Sequence, residues 1–325
     1  MTPLPPLNID DAERELLQRA DAWRRRNISA GLTPKDVQAI HCEHGVDFAT
    51  AVLYTHFAAR LPMEFYAMQD ADSTATGETP RIAIAPGAFY EHYPQLRADG
   101  RAVGDAAQQR GWSSCVIPTR GLGTLDENAA TIIDWFDARP SESFTVIAIS
   151  KGAADVRVAL ARRPDLWRQM RGWICVSGIL SGTPIANWLL ERKRFWLTTK
   201  LVLWYWNRPR SSLAELCCQS DALGDDWSSP PTSDRSIQVV GFPLRKHLAN
   251  WRSRLWHRRF ASQGPTDSVI WLSDLLMQPT TVVPVWGADH YMRSSSEVAT
   301  ICTRMVALLT QSPVESPASA AEALA

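Results

Sequence analysis

Six short apolar runs, at residues 81–85, 112–117, 144–149, 172–177, 236–241 and 280–286, recur along this chain. Most are apolar throughout rather than alternating with polar residues. A strand apolar on both sides must be covered on both faces, which is the condition of a parallel sheet held between helices. Helical stretches at 95–110, 125–138 and from 151 to about 163 separate the first four runs. The expected fold class is therefore α/β, a doubly wound and mostly parallel sheet. With 325 residues, the chain is long enough to bury such a sheet without staples.

The pattern is different at both ends and in the middle. Residues 1–75 read as a helical N-terminal segment. Residues 9–28 are acidic first and basic last, as the helix dipole favours. Thr33 and Pro34 then open a second helix. Gly45 precedes another helical run, and a polar linker spans 70–80. The sheet domain is expected over 76–312. Within it, 185–235 interrupts the alternation with an aromatic helical stretch (185–206) and a polar one (207–235). A helix near 294–310 closes the fold, and 313–325 is small, polar and expected to be disordered.

Charge excludes some functions. Lys and Arg total 34 and Asp and Glu total 34, so nothing in the net charge argues for a nucleic-acid partner. The start lacks a basic region followed by an apolar one, so no signal peptide is expected. The six cysteines contain no CxxC pair, which points to free thiols, a reducing compartment and a cytoplasmic location. No structural metal is expected. The longest unbroken apolar run of the aromatic segment, 201–206, is too short to span a bilayer.

Chemistry concentrates at the ends of the expected strands. The run 144–149 ends on Ser150, and Lys151, Gly152, Ala153 and Ala154 open a helix. A serine between a buried strand and a small-residue helix start has the geometry of a nucleophile elbow. The positions two before and two after it, Ala148 and Gly152, are small as that tight turn requires. The alternative is a plain N-cap serine.

A nucleophilic serine needs a base. In a parallel sheet all carboxyl-end loops open on one rim, so His290, just past the last run, can meet Ser150. His92 follows the first strand and also qualifies as a site-lining residue. His41, His44 and His56 belong to the N-terminal helices, and His247 and His257 to a basic stretch expected to be solvated. For the acid that orients the base, Asp267 leads and Asp274 competes, with Asp289 less suited as a sequence neighbour of His290. The oxyanion donors fall to the N–H of Lys151 and that of Ala88 or Phe89, after the Pro86-Gly87 turn.

The segments PGAF (86–89), AISKG (148–152), SGTP (181–184), GPTD (264–267) and WGADHYMR (286–293) occur in the order serine, acid, histidine. On these segments the chain resembles the α/β-hydrolase superfamily, in particular a bacterial lipase/esterase-like branch, over about residues 80–310. The resemblance implies an α/β-hydrolase fold with a helical cap or lid insertion at 185–235. It implies Ser150 as nucleophile, Asp267 as acid and His290 as base, with Ala88 or Phe89 and Lys151 at the oxyanion hole. Ala148 stands where glycine is usual, a departure that some lipase-like members share. The resemblance is silent on residues 1–75.

The expected activity is hydrolysis of a carboxylic ester through an acyl-enzyme on Ser150, with no cofactor. The 14 tryptophans outnumber 9 Phe and 6 Tyr. Trp188, Trp196, Trp204 and Trp206 cluster in the lid segment as candidate substrate-pocket residues, favouring lipophilic acyl chains. Rival readings are a thioesterase or acyltransferase on the same fold, a catalytically silent binding or scaffold protein, and peripheral membrane contact through the aromatic lid.

Overall fold

A computed structural model describes residues 9–28, 31–62, 65, 79–218, 220–223, 235–248, 250–292 and 295–311, excepting the side chains of 193–195, 295–297 and 311. Most of the expected linker at 70–80, much of the polar stretch at 207–235, and the tail at 313–325 lie outside the described residues.

Six strands form one sheet, β1 (Arg81–Ala85), β2 (Ser113–Val116), β3 (Phe144–Ile149), β4 (Met170–Val176), β5 (Ser236–Phe242) and β6 (Thr281–Trp286). Their order is β2-β1-β3-β4-β5-β6 and every pairing is parallel. The chain leaves β1 in one direction to make β2, then returns to the other side of β1 to make β3. Such a reversal opens a crevice at the carboxyl ends of the two diverging strands. Here those ends are Ala85 and Ile149, directly before Pro86-Gly87 and Ser150.

The helices, in chain order, are α1 (Asp11–Asn27), α2 (Pro34–His44), α3 (Val46–Ala58), α4 (Arg101–Gln108), α5 (Leu125–Asp137), α6 (Lys151–Arg162), α7 (Pro184–Glu191), α8 (Lys193–Tyr205), α9 (Ser211–Ala214), α10 (Trp251–Phe260) and α11 (Ser295–Gln311). Several starts are set by their own side chains. Asp10 with Glu13, Thr33 with Asp36, and Thr124 with Glu127 form reciprocal capping boxes at α1, α2 and α5. The expected helix at 95–110 is shorter, because Arg97 and Gly100 take left-handed backbone before α4. The aromatic stretch 185–206 is two helices with a break at Arg192.

One sheet face carries α4 and α11, with Val103, Ala107, Ile301 and Met305 against Ile147, Ile174, Val239 and Val283. The other face carries α5 and α6 over its β1-β3-β4 part, with Phe136, Val156 and Leu160 against Val146 and Trp173. Over β5 and β6 the same face is covered by α3. Its Tyr54 ring lies 5.0 Å from Trp286, and Phe57 lies 6.1 Å from Phe242. The N-terminal helices are thus a sheet layer, with α1 and α2 packed behind α3. No described helix is long and apolar enough to cross a membrane. All six cysteines are free thiols.

Candidate active site

Ser150 occupies the turn between β3 and α6 with φ 50° and ψ −113°. A non-glycine residue held there costs about 1–3 kcal/mol and persists only where surrounding bonds over-determine it. They do so here. Its N–H donates to the Val176 carbonyl at 2.9 Å, and its carbonyl accepts from Ala153 and Ile179 at 3.1 and 3.0 Å. The turn brings α6 against the end of β1. A Cβ on Gly152 would lie 2.3 Å from the Ala85 carbonyl oxygen, so no other residue fits without moving backbone. On the opposite wall, a Cβ on Gly87 would stand 3.0 Å from the Ile149 carbonyl oxygen and 3.4 Å from the Ser150 Cβ.

Three side chains predicted from distant segments meet at this point. Ser150 Oγ is 2.9 Å from His290 Nε2, and His290 Nδ1 is 2.8 Å from Asp267 Oδ2. The other Asp267 oxygen accepts the Val269 and Ile270 N–H groups, both at 2.8 Å. A second link fixes the pair, since the His290 N–H donates to the Asp267 carbonyl at 2.9 Å. Asp267 and His290 are both buried. With the carboxylate at Nδ1, the proton-bearing nitrogen of a neutral imidazole is Nδ1, and Nε2 is left to accept from the serine hydroxyl.

The rival carboxylates are elsewhere. Asp289 accepts from Ser253 Oγ at 2.5 Å and from the Tyr291 N–H at 3.1 Å. Asp274 sits in the short 3-10 helix Leu272–Met277, where burial pushes its carboxyl up to about 7.

Lys151 is the first residue of α6, so its N–H has no acceptor within the helix. Among the described residues, no hydrogen bond engages the N–H of Ala88 either. The Phe89 nitrogen is closely approached by Gly121, on which a Cβ would come within 2.8 Å of it. The Lys151 side chain turns away from the site. Its ammonium pairs with Asp155 at 2.7 Å, and both are almost wholly buried. Asn128 donates to the second Asp155 oxygen at 2.9 Å. Burial pushes the Asp155 carboxyl upward despite these partners.

A cavity of about 460 Å³ opens over Ser150 and His290, with Phe89, Ile179, Leu189 and Met292 among its apolar lining. Of the four expected tryptophans only Trp206 lines it, with its ring 5.4 Å from Phe89. His92 stacks on the same indole at 5.7 Å. Trp188 instead packs on Trp256 and under the Arg192 and Arg259 guanidiniums. Trp196 carries the Arg210 guanidinium, and Trp204 faces solvent.

Sequence reasoning missed Trp256 and Arg252, which line the cavity from α10. That basic stretch reads as solvated, yet His257 is buried and held below the usual imidazole range by desolvation. Likewise His247 is bonded to Glu13 of α1. Missed too were Ile179 and Met292, although both follow strand ends, which the rim rule singles out. Among the described residues no group of His, Cys, Asp and Glu is arranged to hold a metal.

No family model matches the sequence, and no curated protein matches it either. Solved structures do match. A metagenomic carboxyl esterase is similar over 86% of this chain and 90% of its own, at 16% identity and a TM-score of 0.55. The mature form of a lipase from Bacillus licheniformis is similar over 73% of this chain and 96% of its own, at 12% identity and a TM-score of 0.54. With the parallel sheet order and the strained serine turn, these matches identify the fold of the chain as that of the α/β-hydrolases.

Proposed function

We propose that the protein is a serine hydrolase that cleaves carboxylic esters with lipophilic acyl chains through an acyl-enzyme on Ser150. The observation that carries this reading is the continuous chain Ser150 Oγ, His290 and Asp267, with links of 2.9 and 2.8 Å, at the floor of an apolar cavity. His290 Nε2 takes the hydroxyl proton as Ser150 attacks the ester carbonyl. Asp267 stabilises the imidazolium that forms. The N–H groups of Lys151 and of Ala88 or Phe89 hold the oxyanion. His290 then protonates the departing alcohol, and water repeats the sequence on the acyl-enzyme.

The cavity supports the preference for lipophilic chains. Phe89, Ile179, Leu189, Trp206 and Met292 present apolar surface next to the nucleophile. Each methylene buried there contributes up to ~0.8 kcal/mol, roughly a fourfold gain in kcat/KM. Solved esterase and lipase structures on this fold agree with the reading.

Labelling with a fluorophosphonate probe tests it. Ser150 is expected to carry the label and Ser150→Ala to abolish it. With p-nitrophenyl esters from acetate to decanoate, kcat/KM is expected to climb, and Trp206→Ala to flatten the climb. Label on another serine overturns the elbow assignment, and a flat profile overturns the acyl pocket. A thioester substrate tests for thioesterase activity, and an alcohol acceptor supplied in the same assay separates hydrolysis from acyl transfer.

A further inference from the structure

α8 has two apolar faces, and among the described residues only one is covered. Leu203 is buried, and Trp206, just past the helix end, lines the cavity. On the outside, Leu197, Leu201, Trp204 and Tyr205 are exposed to 66%, 65%, 76% and 78%. Their spacing, i, i+4, i+7 and i+8, places them within about 100° of arc on one side of the helix. α10 repeats the arrangement. Its Trp256 and Arg252 line the cavity, while Trp251 and Leu255, one turn apart, are exposed to 65% and 52%. Large apolar side chains so exposed and so grouped mark a contact surface rather than chance exposure.

The charge around these stripes says what they meet. Residues 192–210 hold six Lys and Arg and no acid, and residues 245–259 hold another six and no acid, in a chain whose net charge is zero. Lys200, Arg254 and Arg258 are exposed on the same two helices as the apolar stripes. An isologous dimer through either stripe would set basic against basic. A surface that is negative outside and apolar just beneath matches both features at once. Trp and Tyr favour that boundary, where one end of the ring is wet and the other is not.

We infer that the outer stripes of α8 and α10 dock the protein on anionic lipid bilayers, with Leu197, Leu201, Trp204 and Tyr205 inserted at headgroup depth. Basic residues beside them supply the attraction, about fivefold in binding for each Lys or Arg at the surface. Because Trp206 follows α8 directly and α10 contributes Trp256, both on the cavity, docking sets the cavity beside the membrane. The inference does not depend on the chemistry of Ser150.

Vesicle flotation of the full chain tests it, using phosphatidylcholine alone and an equimolar mixture with phosphatidylserine. Binding is expected to the mixed vesicles, to fall with added salt, and to be much weaker on phosphatidylcholine. Leu197→Ser/Leu201→Ser and, separately, Lys200→Glu/Arg258→Glu are each expected to lose tenfold or more of that binding. Both should keep wild-type hydrolysis of a soluble short-chain ester and wild-type thermal unfolding. Ser150→Ala should still float, which separates failure of docking from failure of the esterase reading. Absence of flotation, or flotation untouched by both pairs of substitutions, overturns the inference. A salt-resistant dimer that Leu197→Ser/Leu201→Ser turns into monomer, without vesicle binding, overturns it in favour of contact between copies.

Discussion

The ion pair behind the proposed nucleophile should be replaceable as a pair but not one residue at a time. Lys151 and Asp155 lie one turn apart on α6, 2.7 Å from each other, each 1% exposed. Lys151→Met removes the ammonium and leaves the Asp155 carboxyl buried with only Asn128 as donor. Such a carboxyl takes up a proton rather than stay charged. Protonating an acid at neutral pH whose unfolded value is near 4 costs ~4 kcal/mol, close to the 3–5 kcal/mol typical of breaking a buried pair. The sign follows from proton counting. The folded variant holds a proton that the unfolded chain has lost, so its stability falls as pH rises above about 4. Burial already holds the parent's Asp155 upward, to about 6, so part of this cost is common to both proteins, and the deficit of the variant relative to the parent should be small near pH 5 and grow through pH 7. Asp155→Leu should also destabilise, by stranding the ammonium. Lys151→Met/Asp155→Leu should return to within about 1–2 kcal/mol of the parent, because an apolar pair of similar volume avoids both desolvation costs. Urea unfolding of the four proteins at the two pH values reads all of this. A deficit for Lys151→Met that does not change with pH, or a double variant no better than the worse single one, would refute the reasoning.

Two further outcomes bear on the acid. Asp267→Asn should lower kcat on a p-nitrophenyl ester by roughly three to four orders of magnitude, while Asp274→Asn leaves it near the parent value. The reverse ranking would move the acid to Asp274. Burial holds Asp274 protonated up to about 7, well above its unfolded value, so it costs stability as pH rises from about 4 to about 7. Asp274→Asn should remove that slope and raise the urea midpoint near pH 8, and a midpoint unchanged by the substitution would count against the buried acid.

Strands were readable because burial on both faces writes apolar runs into the chain. The runs at 81–85 and 144–149 coincide with β1 and β3, and the others shift by one or two residues at their ends. The meeting of Ser150, Asp267 and His290 was readable for a related reason. Parallel strands leave their carboxyl ends on one edge, so position in the chain becomes position on a rim. What stayed hidden depends on which face of a helix meets what. A stretch such as 251–259 shows its arginines to the reader, while the burial of His257 and the inward turn of Trp256 follow only from packing. The same holds for α8, whose aromatic richness shows but whose division into a cavity face at Trp206 and a bare face at Trp204 does not. The cover that α3 provides over β5 and β6 left no local mark, since helix and strands are far apart in sequence.

That cover has a consequence for how the chain comes to be folded during synthesis. α3 carries Phe48, Val52, Leu53, Tyr54 and Phe57, all buried in the finished protein. Its partners on β6 follow more than two hundred residues later. At a translation rate of about 5–20 residues per second, that apolar helix waits ten seconds or more for the surface it belongs on. Before β5 and β6 are made, its main native neighbours among the described residues are α1 and α2, and the contact that completes its cover spans more than two hundred residues. Such long-range closure is slow and leaves sticky intermediates behind it. The nascent N-terminal helices are therefore where holding chaperones should engage, and where soluble yield in a heterologous host should be decided.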